Sequence, residues 1–336
     1  MLNKIRTILM GTPEFAERIF IKTLPELIPK GIEIIAVITA PDKPVGRKQA
    51  MTPSPVKKWA LEGNFEVLEP DKIRKPEWVA KIKELNPDLI ILIAYGQIIP
   101  QEILDMPKFK ALNIHPSLLP KYRGASPIQS AILNGEIETG VSLIIMDADL
   151  DHGPIISNSK IQISNKITYQ ELSEQLSDMG AELLIKTLLD YIDGKIKPQE
   201  QDHAQASFCK LIKKEDGKID WNKSAEEIER MVRAYQEWPT VYTEIRNPKS
   251  EIRNNIKILN AETKNPSRHS TELSRGPALG ASHKIGEVFL SDNKDLCVQT
   301  SNGILILKTL QLEGKKPVSV KDFLNGHPEI VGTILK

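Results

Sequence analysis

The sequence predicts an α/β fold with a mostly parallel, Rossmann-like sheet, followed by a small OB-like β-barrel at the C-terminal end. Three observations lead to this prediction. Short β-branched runs alternate with longer helical patterns as far as residue 194. The run Leu89–Ile93 is apolar at every position, which is typical of a strand covered on both faces of a parallel sheet. Beyond residue 215, short alternating segments follow one another at even spacing, as in small barrels.

The elements of the first half follow from their hydrophobic periods. Apolar residues spaced as on one helix face predict helices at 14–28, 77–85 and 168–191, and Gly194 ends the last of them. Compact apolar runs predict strands at 7–10, 33–39, 65–68, 88–94, 110–115 and 141–146, with an edge strand at 155–163. In such sheets ligands bind beyond the carboxyl ends of the strands, so a site is expected there.

The hydrophobic pattern of the sequence changes in the second half. Residues 195–214 are polar and lack a period, which predicts a linker between a sheet domain at 1–194 and a barrel domain at 215–336. The barrel domain is predicted to contain a helix at 225–235 and strands at 241–245, 256–260, 286–290, 296–300 and 304–312. Residues 264–284 are rich in Ser, Gly, Pro and Arg, so we expect a disordered insertion between barrel strands.

Composition excludes several classes of protein. The chain has 336 residues, of which 26% are charged, and its net charge of +1 gives no sign of nucleic-acid binding. Cys209 and Cys297 form no CxxC pattern, so neither a disulfide framework nor a zinc cluster is predicted. The sequence has neither a signal peptide nor a run of about 18 apolar residues. We therefore expect a cytoplasmic protein without a membrane partner, and we expect a monomer.

The eight residues from Asn113 to Pro120 are the most informative in the chain. Asn113 and His115 end a predicted strand, where alternation puts both side chains on one face. An acidic run further along the chain ends at Asp151. A neutral amide donor, an imidazole that titrates near neutral pH and a carboxylate that orients it can form one reaction centre. Asn113, His115 and Asp151 are therefore the candidate catalytic residues.

These residues also have simpler interpretations. Asn113 and His115 by themselves could be a buried pair that satisfies loop backbone groups. The acidic run at 147–151 suggests a calcium loop, but Leu150 and Pro154 break the pattern of such loops and the bidentate Glu is missing. A carboxylate partner for His115 is the better interpretation of this run.

Two further segments are candidates for binding. The Gly-Thr-Pro-Glu-Phe turn at Gly11 either holds an anion at a helix N-terminus or is a tight turn with Pro at the first helical position. Residues 40–55 form a long proline-rich loop, in which the basic pair Arg47 and Lys48 is either a binding tip or a solvated surface. The remaining histidines, which we expect to be exposed and incidental, are His152, His203, His269, His283 and His327.

Several motifs along the chain form a pattern that is specific as a set. They lie at 11–16, 41–47, 53–57, 94–96, 113–124, 126–129, 138–141, 146–147, 150–153, 219–221, 238–239 and 314–316. On these motifs the whole chain resembles the methionyl-tRNA formyltransferase family, a branch of the 10-formyltetrahydrofolate transferases. The Asn-x-His pair and the distal Asp are common to all these transferases. The Pro-Ser-Pro-Val-Lys segment and the C-terminal half mark the tRNA branch, and the insertion at 264–284 departs from it.

The resemblance implies a reaction. In it, the α-amino group of methionine on initiator tRNA attacks the formyl group of 10-formyltetrahydrofolate, which is the formyl-donor substrate. The products are N-formylmethionyl-tRNA, which serves translation initiation, and tetrahydrofolate. The resemblance implies that Asn113, His115 and Asp151 are catalytic and that no metal is needed.

The resemblance also implies a division of labour along the chain. Residues 1–194 would be the catalytic domain with the formyltransferase fold, and the barrel at 215–336 would hold the tRNA. Arg47 would contact the opened end of the tRNA acceptor stem, and Lys48 is the second candidate for tRNA binding. The residues implied to line the folate pocket are Ser117, Leu118, Leu119 and Pro120.

Three other functions compete with this one. A formyl-transfer enzyme for glycinamide ribonucleotide or a sugar nucleotide, or a hydrolase of the same family, would share the reaction centre. It should lack the loop at 41–57 and this C-terminal domain. A non-enzymatic RNA-binding protein would explain the barrel but not the three polar residues together. A nicotinamide-dependent oxidoreductase would explain the first strand–turn–helix, but the Gly-x-Gly-x-x-Gly fingerprint is absent.

Overall fold

The computed structural model describes residues 4–46, 49–246, 253–264 and 283–336. Its backbone contacts divide the chain into two compact units. The first unit comprises residues 1–128, 137–163 and 171–210. The second unit comprises residues 129–136, 164–170 and 211–336. The insertion expected at 264–284 lies almost wholly outside the described residues, so the expectation of disorder there stays a prediction.

The first unit is built on one large sheet with two small pairs of strands. Its strands are β1 (Ile5–Gly11), β2 (Ile32–Ile38), β3 (Lys43–Val45), β4 (Ala50–Thr52), β5 (Val67–Leu68), β6 (Leu89–Ile93), β7 (Ala111–His115), β8 (Arg123–Gly124), β9 (Glu138–Ile145), β10 (Ile155–Gln162) and β11 (Phe208–Cys209). The large sheet has the order β10-β9-β7-β6-β1-β2-β5. All its pairs are parallel except β7 with β9 and β9 with β10. The predicted mostly parallel sheet is confirmed.

The helices account for the remaining periodic segments. They are α1 (Glu14–Leu27), α2 (Pro55–Glu62), α3 (Pro76–Glu84), α4 (Gln101–Asp105), α5 (Pro127–Leu133), α6 (Tyr169–Ile192), α7 (Ala225–Ala234) and α8 (Val320–Gly326). The turn from β1 into α1 is tight, because a Cβ at Gly11 would lie 2.8 Å from the Cβ of Ala16. Ser54 caps α2, since its Oγ accepts a hydrogen bond from the backbone N–H of Lys57 at 3.0 Å. None of the described helices is long and apolar enough to cross a membrane.

The proline-rich loop at 40–55 contains structure that the sequence did not predict. Strands β3 and β4 pair antiparallel in an exposed hairpin, with Lys43 opposite Thr52. At the base of the hairpin, the Nζ of Lys57 lies 2.6 Å from Asp42 and 2.9 Å from Glu69. The hydrogen bonds that Lys57 donates to these two carboxylates, the one to Asp42 above all, raise the pKa of Lys57. Such short strands without apolar alternation escape detection because their pairing partner is decided by the turn between them.

The second unit contains an antiparallel sheet. Its strands are β12 (Val241–Arg246), β13 (Arg253–Lys264), β14 (Val288–Leu290), β15 (Leu296–Gln299), β16 (Ile304–Leu312) and β17 (Val318–Ser319). The order is β12-β13-β16-β15-β14, and β17 also pairs with β16. Five of these strands correspond to the five that alternation predicted, so the separate antiparallel sheet of the C-terminal part is confirmed.

The C-terminal tail connects the two outer strands of this sheet. On one side, the backbone N–H of Val288 donates to the carbonyl of Thr333 and that of Leu335 donates to Gly286, both at 2.9 Å. On the other side, the N–H of Glu244 donates to the carbonyl of Lys336 at 2.9 Å. The tail therefore lies between β14 and β12 and hydrogen-bonds to both, an arrangement typical of a small barrel.

Candidate active site

Asn113 and His115 lie at the carboxyl end of β7, where the parallel part of the sheet meets β9. Leu92 of β6 pairs with Asn113 on one side, and Ser142 of β9 pairs with His115 on the other. Alternation along β7 turns both polar side chains to the same face. Both residues are buried, at 6% and 4% exposure. A buried amide and a buried imidazole need specific hydrogen-bond partners.

Asp151 supplies such a partner from the loop after β9. Its Oδ1 accepts a hydrogen bond from the Nδ2 of Asn113 at 3.2 Å and lies 3.5 Å from the Nδ1 of His115. Its Oδ2 accepts a hydrogen bond from the backbone N–H of Gly124 at 2.8 Å. The Asp151 side chain is only 10% exposed. The structure thus brings the three candidate catalytic residues together around one carboxylate.

The contacts of His115 define what its ring can do. Its Nε2 lies 2.9 Å from the carbonyl oxygen of Tyr122, and a carbonyl only accepts, so Nε2 carries a hydrogen. Its Nδ1 faces the Asp151 carboxylate at 3.5 Å, which is too long for a strong hydrogen bond. The imidazolium form can donate to both oxygens, whereas the neutral form with hydrogen on Nε2 donates only to Tyr122. The ring is thus held at one nitrogen and only loosely engaged at the other.

The Ser-Leu-Leu-Pro segment forms a turn held by β9. Ser142 is the central residue, because its Oγ donates to the carbonyl of Ser117 at 2.8 Å and accepts from the backbone N–H of Leu119 at 3.1 Å. The Ser117 Oγ donates to the Lys121 carbonyl at 2.6 Å. Ser117 and Leu119 are buried, whereas Leu118 and Pro120 are half-buried. The turn is therefore fixed internally, and its half-buried members, Leu118 and Pro120, are the ones that present surface.

The acidic run has a contact that sequence reasoning missed. His152 was expected to be exposed and incidental, but it is half-buried, and its Nδ1 lies 2.7 Å from the Oδ2 of Asp147. Its ring stacks on that of His203 with centroids 4.1 Å apart. His203 is exposed as expected, yet its Nδ1 lies 2.8 Å from Arg123. His203 is about 50 residues from His152 and 80 residues from Arg123 in sequence, so spacing within a motif could not reveal these two contacts.

Arg47 and Lys48, which the sequence suggested for tRNA binding, lie outside the described residues. Their neighbours in β3 and β4 are exposed, which is compatible with a binding tip and equally with a solvated turn.

The Oδ1 of Asn113 is buried and accepts no hydrogen bond from the described residues. Within the same part of the chain, no group of three or more His, Cys, Asp or Glu is placed to hold a metal ion.

The chain matches two family models in succession. Residues 3–188 match the model described as "Formyl transferase", and residues 211–328 match "Formyl transferase, C-terminal domain". The fold and the site thus define a transferase of formyl groups built from two domains. The chain belongs to the formyl transferase family.

Full-length relatives place the resemblance more narrowly. A methionyl-tRNA formyltransferase of Geobacter sulfurreducens is 39% identical over 331 residues, 98% of this chain and 96% of that protein. A methionyl-tRNA formyltransferase of Dehalococcoides mccartyi strain BAV1 is 40% identical over 335 residues, 100% of this chain and 99% of that protein. The resemblance that the motifs indicated is confirmed.

Solved structures support the fold. HypX from Aquifex aeolicus in complex with tetrahydrofolic acid superposes with a TM-score of 0.61 and 18% identity, covering 97% of this chain and 48% of that chain. The sugar 3N-formyltransferase WlaRD has a TM-score of 0.59 and 21% identity, covering 94% of this chain and 100% of that chain. At these identities the likeness shows the formyltransferase fold alone.

Proposed function

We propose that this protein transfers the formyl group of 10-formyltetrahydrofolate to the α-amino group of methionyl-initiator-tRNA. One observation carries the proposal: Asn113, His115 and Asp151 converge at the end of β7. They do so in a chain that is similar to methionyl-tRNA formyltransferases along its whole length. Because its substrate is aminoacylated tRNA, the reaction would take place in the cytoplasm. We expect the protein to act as a monomer.

The reaction needs a stabilised oxyanion. The nitrogen of the amino group forms a bond to the formyl carbon, and the carbonyl oxygen becomes negatively charged until the bond from that carbon to N10 of the folate breaks. Asn113 gives one amide N–H to Asp151, so its second N–H is the donor left for the oxyanion. A protonated His115 adds a positive charge beside the same position.

The reaction also moves protons. The attacking amine must lose one, and N10 must gain one as it leaves. The Nδ1 of His115 is the nitrogen suited to this exchange, because its 3.5 Å contact to Asp151 is long while Nε2 stays bonded to Tyr122. Asp151 orients the ring and stabilises its charged form. Asn113, His115 and Asp151 therefore take the three roles without help from a metal.

The folate pocket is proposed to be lined by the turn that Ser142 holds. Ser117 and Leu119 would give the turn its shape, since both are buried and bonded within the protein. Leu118 and Pro120, which are half-buried, would present apolar surface to the pterin or benzoyl group. Apolar lining with few polar groups is the usual composition of such pockets.

The C-terminal part is proposed to hold the tRNA, with domain limits at 1–194 and 215–336 and a linker at 195–214. A protein shortened at residue 215 is a poor test, because it would remove partners of residues that remain. Arg230 donates to the Leu133 carbonyl at 2.9 Å and Arg233 to the Ile167 carbonyl at 2.7 Å, all within the second unit. Charge substitutions in the full chain avoid this problem.

Lys315 and Lys316 are suited to such a test, because both are exposed in the turn after β16. Phosphate contacts by lysine make binding fall with salt, and removing one such lysine lowers the slope of log affinity against log salt by about 1. Lys315→Ala and Lys316→Ala should each weaken tRNA binding and flatten this slope. Unchanged slopes would remove these lysines from the tRNA-binding surface.

The function itself is tested by incubating the protein with 10-formyltetrahydrofolate and charged initiator tRNA. Elongator methionyl-tRNA and an amino-sugar nucleotide serve as alternative acceptors. We expect formylation of the initiator tRNA in clear preference to both. Formylation of the sugar nucleotide alone would replace the proposal with another branch of the family.

A further inference from the structure

Gln201 lies between the two segments that match family models, which end at residue 188 and resume at residue 211. It is nevertheless a buried residue of the first unit, at 5% exposure. Its Nε2 donates to the backbone carbonyls of Asp151 at 2.9 Å and Gly153 at 2.8 Å. A side chain from the segment at 195–214, which the sequence predicted to be a linker, therefore reaches the loop that carries Asp151.

The amide of Gln201 can adopt only one orientation. Its Oε1 accepts two hydrogen bonds from Arg123, one from Nε at 3.1 Å and one from Nη2 at 2.7 Å. A guanidinium only donates and a backbone carbonyl only accepts, so exchanging the oxygen and nitrogen of the amide would break all four bonds. Arg123 is itself buried at 4% exposure, and its Nη2 also contacts His203. The orientation of Gln201 is thus set by a fixed neighbour.

The loop that Gln201 holds is in a conformation that needs support. Asp151 has a φ of 48°, in the left-handed region that residues other than Gly rarely adopt. Gly153 is packed so closely that a Cβ there would collide with the carbonyl oxygen of Ile145. By bonding the carbonyls of Asp151 and Gly153, Gln201 fixes the backbone on both sides of the turn. The direction of the Asp151 carboxylate follows from that backbone.

We propose that Gln201 is a positioning residue for formyl transfer, which acts by holding Asp151 at the distance that Asn113 and His115 require. The inference rests on the proposed function of the Asp151 centre. A displacement of about 1 Å at a reacting group lowers the rate by up to about 10²-fold. Loss of the two hydrogen bonds by which Gln201 holds this backbone should therefore lower kcat measurably. Substrate affinity should depend little on these bonds.

The main test is Gln201→Glu in the full chain. The substitution keeps the shape and can still accept from Arg123, but it puts a carboxylate oxygen against two carbonyl oxygens. We expect kcat to fall about tenfold or more, with KM for folate and for tRNA within about twofold of wild type. Gln201→Leu removes the same bonds without adding a charge and serves if the first variant does not fold.

Gln299→Glu is the matched control. The Nε2 of Gln299 also donates to two backbone carbonyls, those of Thr300 at 3.0 Å and Gly303 at 3.3 Å, but in the second unit. It should lose the same kind of bonds without a change in kcat. A wild-type kcat in folded Gln201→Leu, or an equal loss in Gln299→Glu, would overturn the inference.

A double-mutant cycle with Asp151→Asn separates a positioning role from a general structural one. If Gln201 acts through Asp151, adding Gln201→Leu to Asp151→Asn should change the remaining kcat by less than about twofold. Fully additive losses would contradict the proposal. Wild-type formyl transfer is measured in the same assay, so a failure of the proposed function is seen independently of Gln201.

Discussion

The carboxylate of Asp151 accepts a hydrogen bond from the backbone N–H of Gly124 at 2.8 Å. Gly124 ends the motif that begins at Asn113, whereas Asp151 lies in the separate motif at 150–153. Gly124 has a φ of 118°, and a Cβ there would collide with the carbonyl of Cys209. Because Gly has no Cβ, the backbone can adopt this conformation at position 124, and its N–H then reaches the Asp151 carboxylate. This hydrogen bond joins the two motifs into one site.

The reaction centre should respond to the loss of any of its three residues. Asn113→Ala, His115→Ala and Asp151→Ala should each fold normally and lose about 10²-fold or more in formyl transfer, because each removes a donor, a proton carrier or its orienting charge. The measurement is kcat with both substrates, alongside thermal unfolding. Asn158→Ala on the exposed part of β10 is the control. Near-wild-type turnover in His115→Ala would remove that residue from the mechanism.

Arg47 lies in the sequence between β3 and β4, outside the described residues. Arg47→Ala should raise the KM for initiator tRNA or lower kcat while leaving folate affinity unchanged, because it removes a guanidinium that would bind the tRNA. Side-by-side titration of both ligands is the measurement, with Lys83→Ala on α3 as a control. If both ligands were affected equally, or tRNA use were unaffected, the hairpin tip would be an ordinary solvated turn.

Tyr95 gives a prediction about stability. It is 2% exposed, and its buried hydroxyl finds no hydrogen-bond partner among the described residues. Burial raises the pKa of Tyr95, since the charged form would be desolvated. Tyr95→Phe should therefore leave stability unchanged or raise it by about 1 kcal/mol, as judged by denaturant unfolding.

Tyr191→Phe is the matched comparison for Tyr95, because the Tyr191 hydroxyl donates to the Phe109 carbonyl at 3.3 Å. This variant should lose about 0.5–1.5 kcal/mol. If Tyr95→Phe were destabilised as much as Tyr191→Phe, the Tyr95 hydroxyl would have a partner in solution.

An ion pair between α1 and α6 predicts a pH dependence. Arg18 donates to both oxygens of Asp178, at 2.7 and 3.1 Å, and Lys22 lies 2.6 Å away. The hydrogen bond from Arg18 is the main cause that lowers the pKa of Asp178. Because the pKa of Asp178 is lower in the folded state than in the unfolded state, the ion pair stabilises the fold above a pH of about 3.9. This stabilisation is lost as the pH falls through the lowered pKa.

Asp178→Asn should therefore lower stability at pH 7, by less than about 1 kcal/mol because the carboxylate is 35% exposed. The difference from wild type should vanish in acid below the lowered pKa. Unfolding midpoints at both pH values are the measurement, with Glu182→Gln on the exposed side of α6 as a control. A difference that persisted in acid would mean that packing, and not charge, is what the substitution changes.

Most of the architecture could be predicted from the sequence. The run of five apolar residues in β6 required a strand covered on both faces, and the pattern of α1 required an amphipathic helix. Alternation in the C-terminal part indicated the barrel strands, and the local spacing of Asn113 and His115 put them on one face. These features depend on contacts between residues close in the chain, so local pattern is enough to reveal them.

Tertiary structure decided the rest. The sequence suggested Asp151 as a partner for His115, but how it reaches Asn113 and His115 depends on a left-handed turn at Asp151 and on the backbone of Gly124, which no local pattern shows. Gln201 looked like part of a polar linker, because its partners Arg123, Asp151 and Gly153 are 48 to 78 residues away. Buried polar side chains such as Gln201 produce no periodic pattern in the sequence, because their hydrogen bonds join segments that meet only after the sheet has formed.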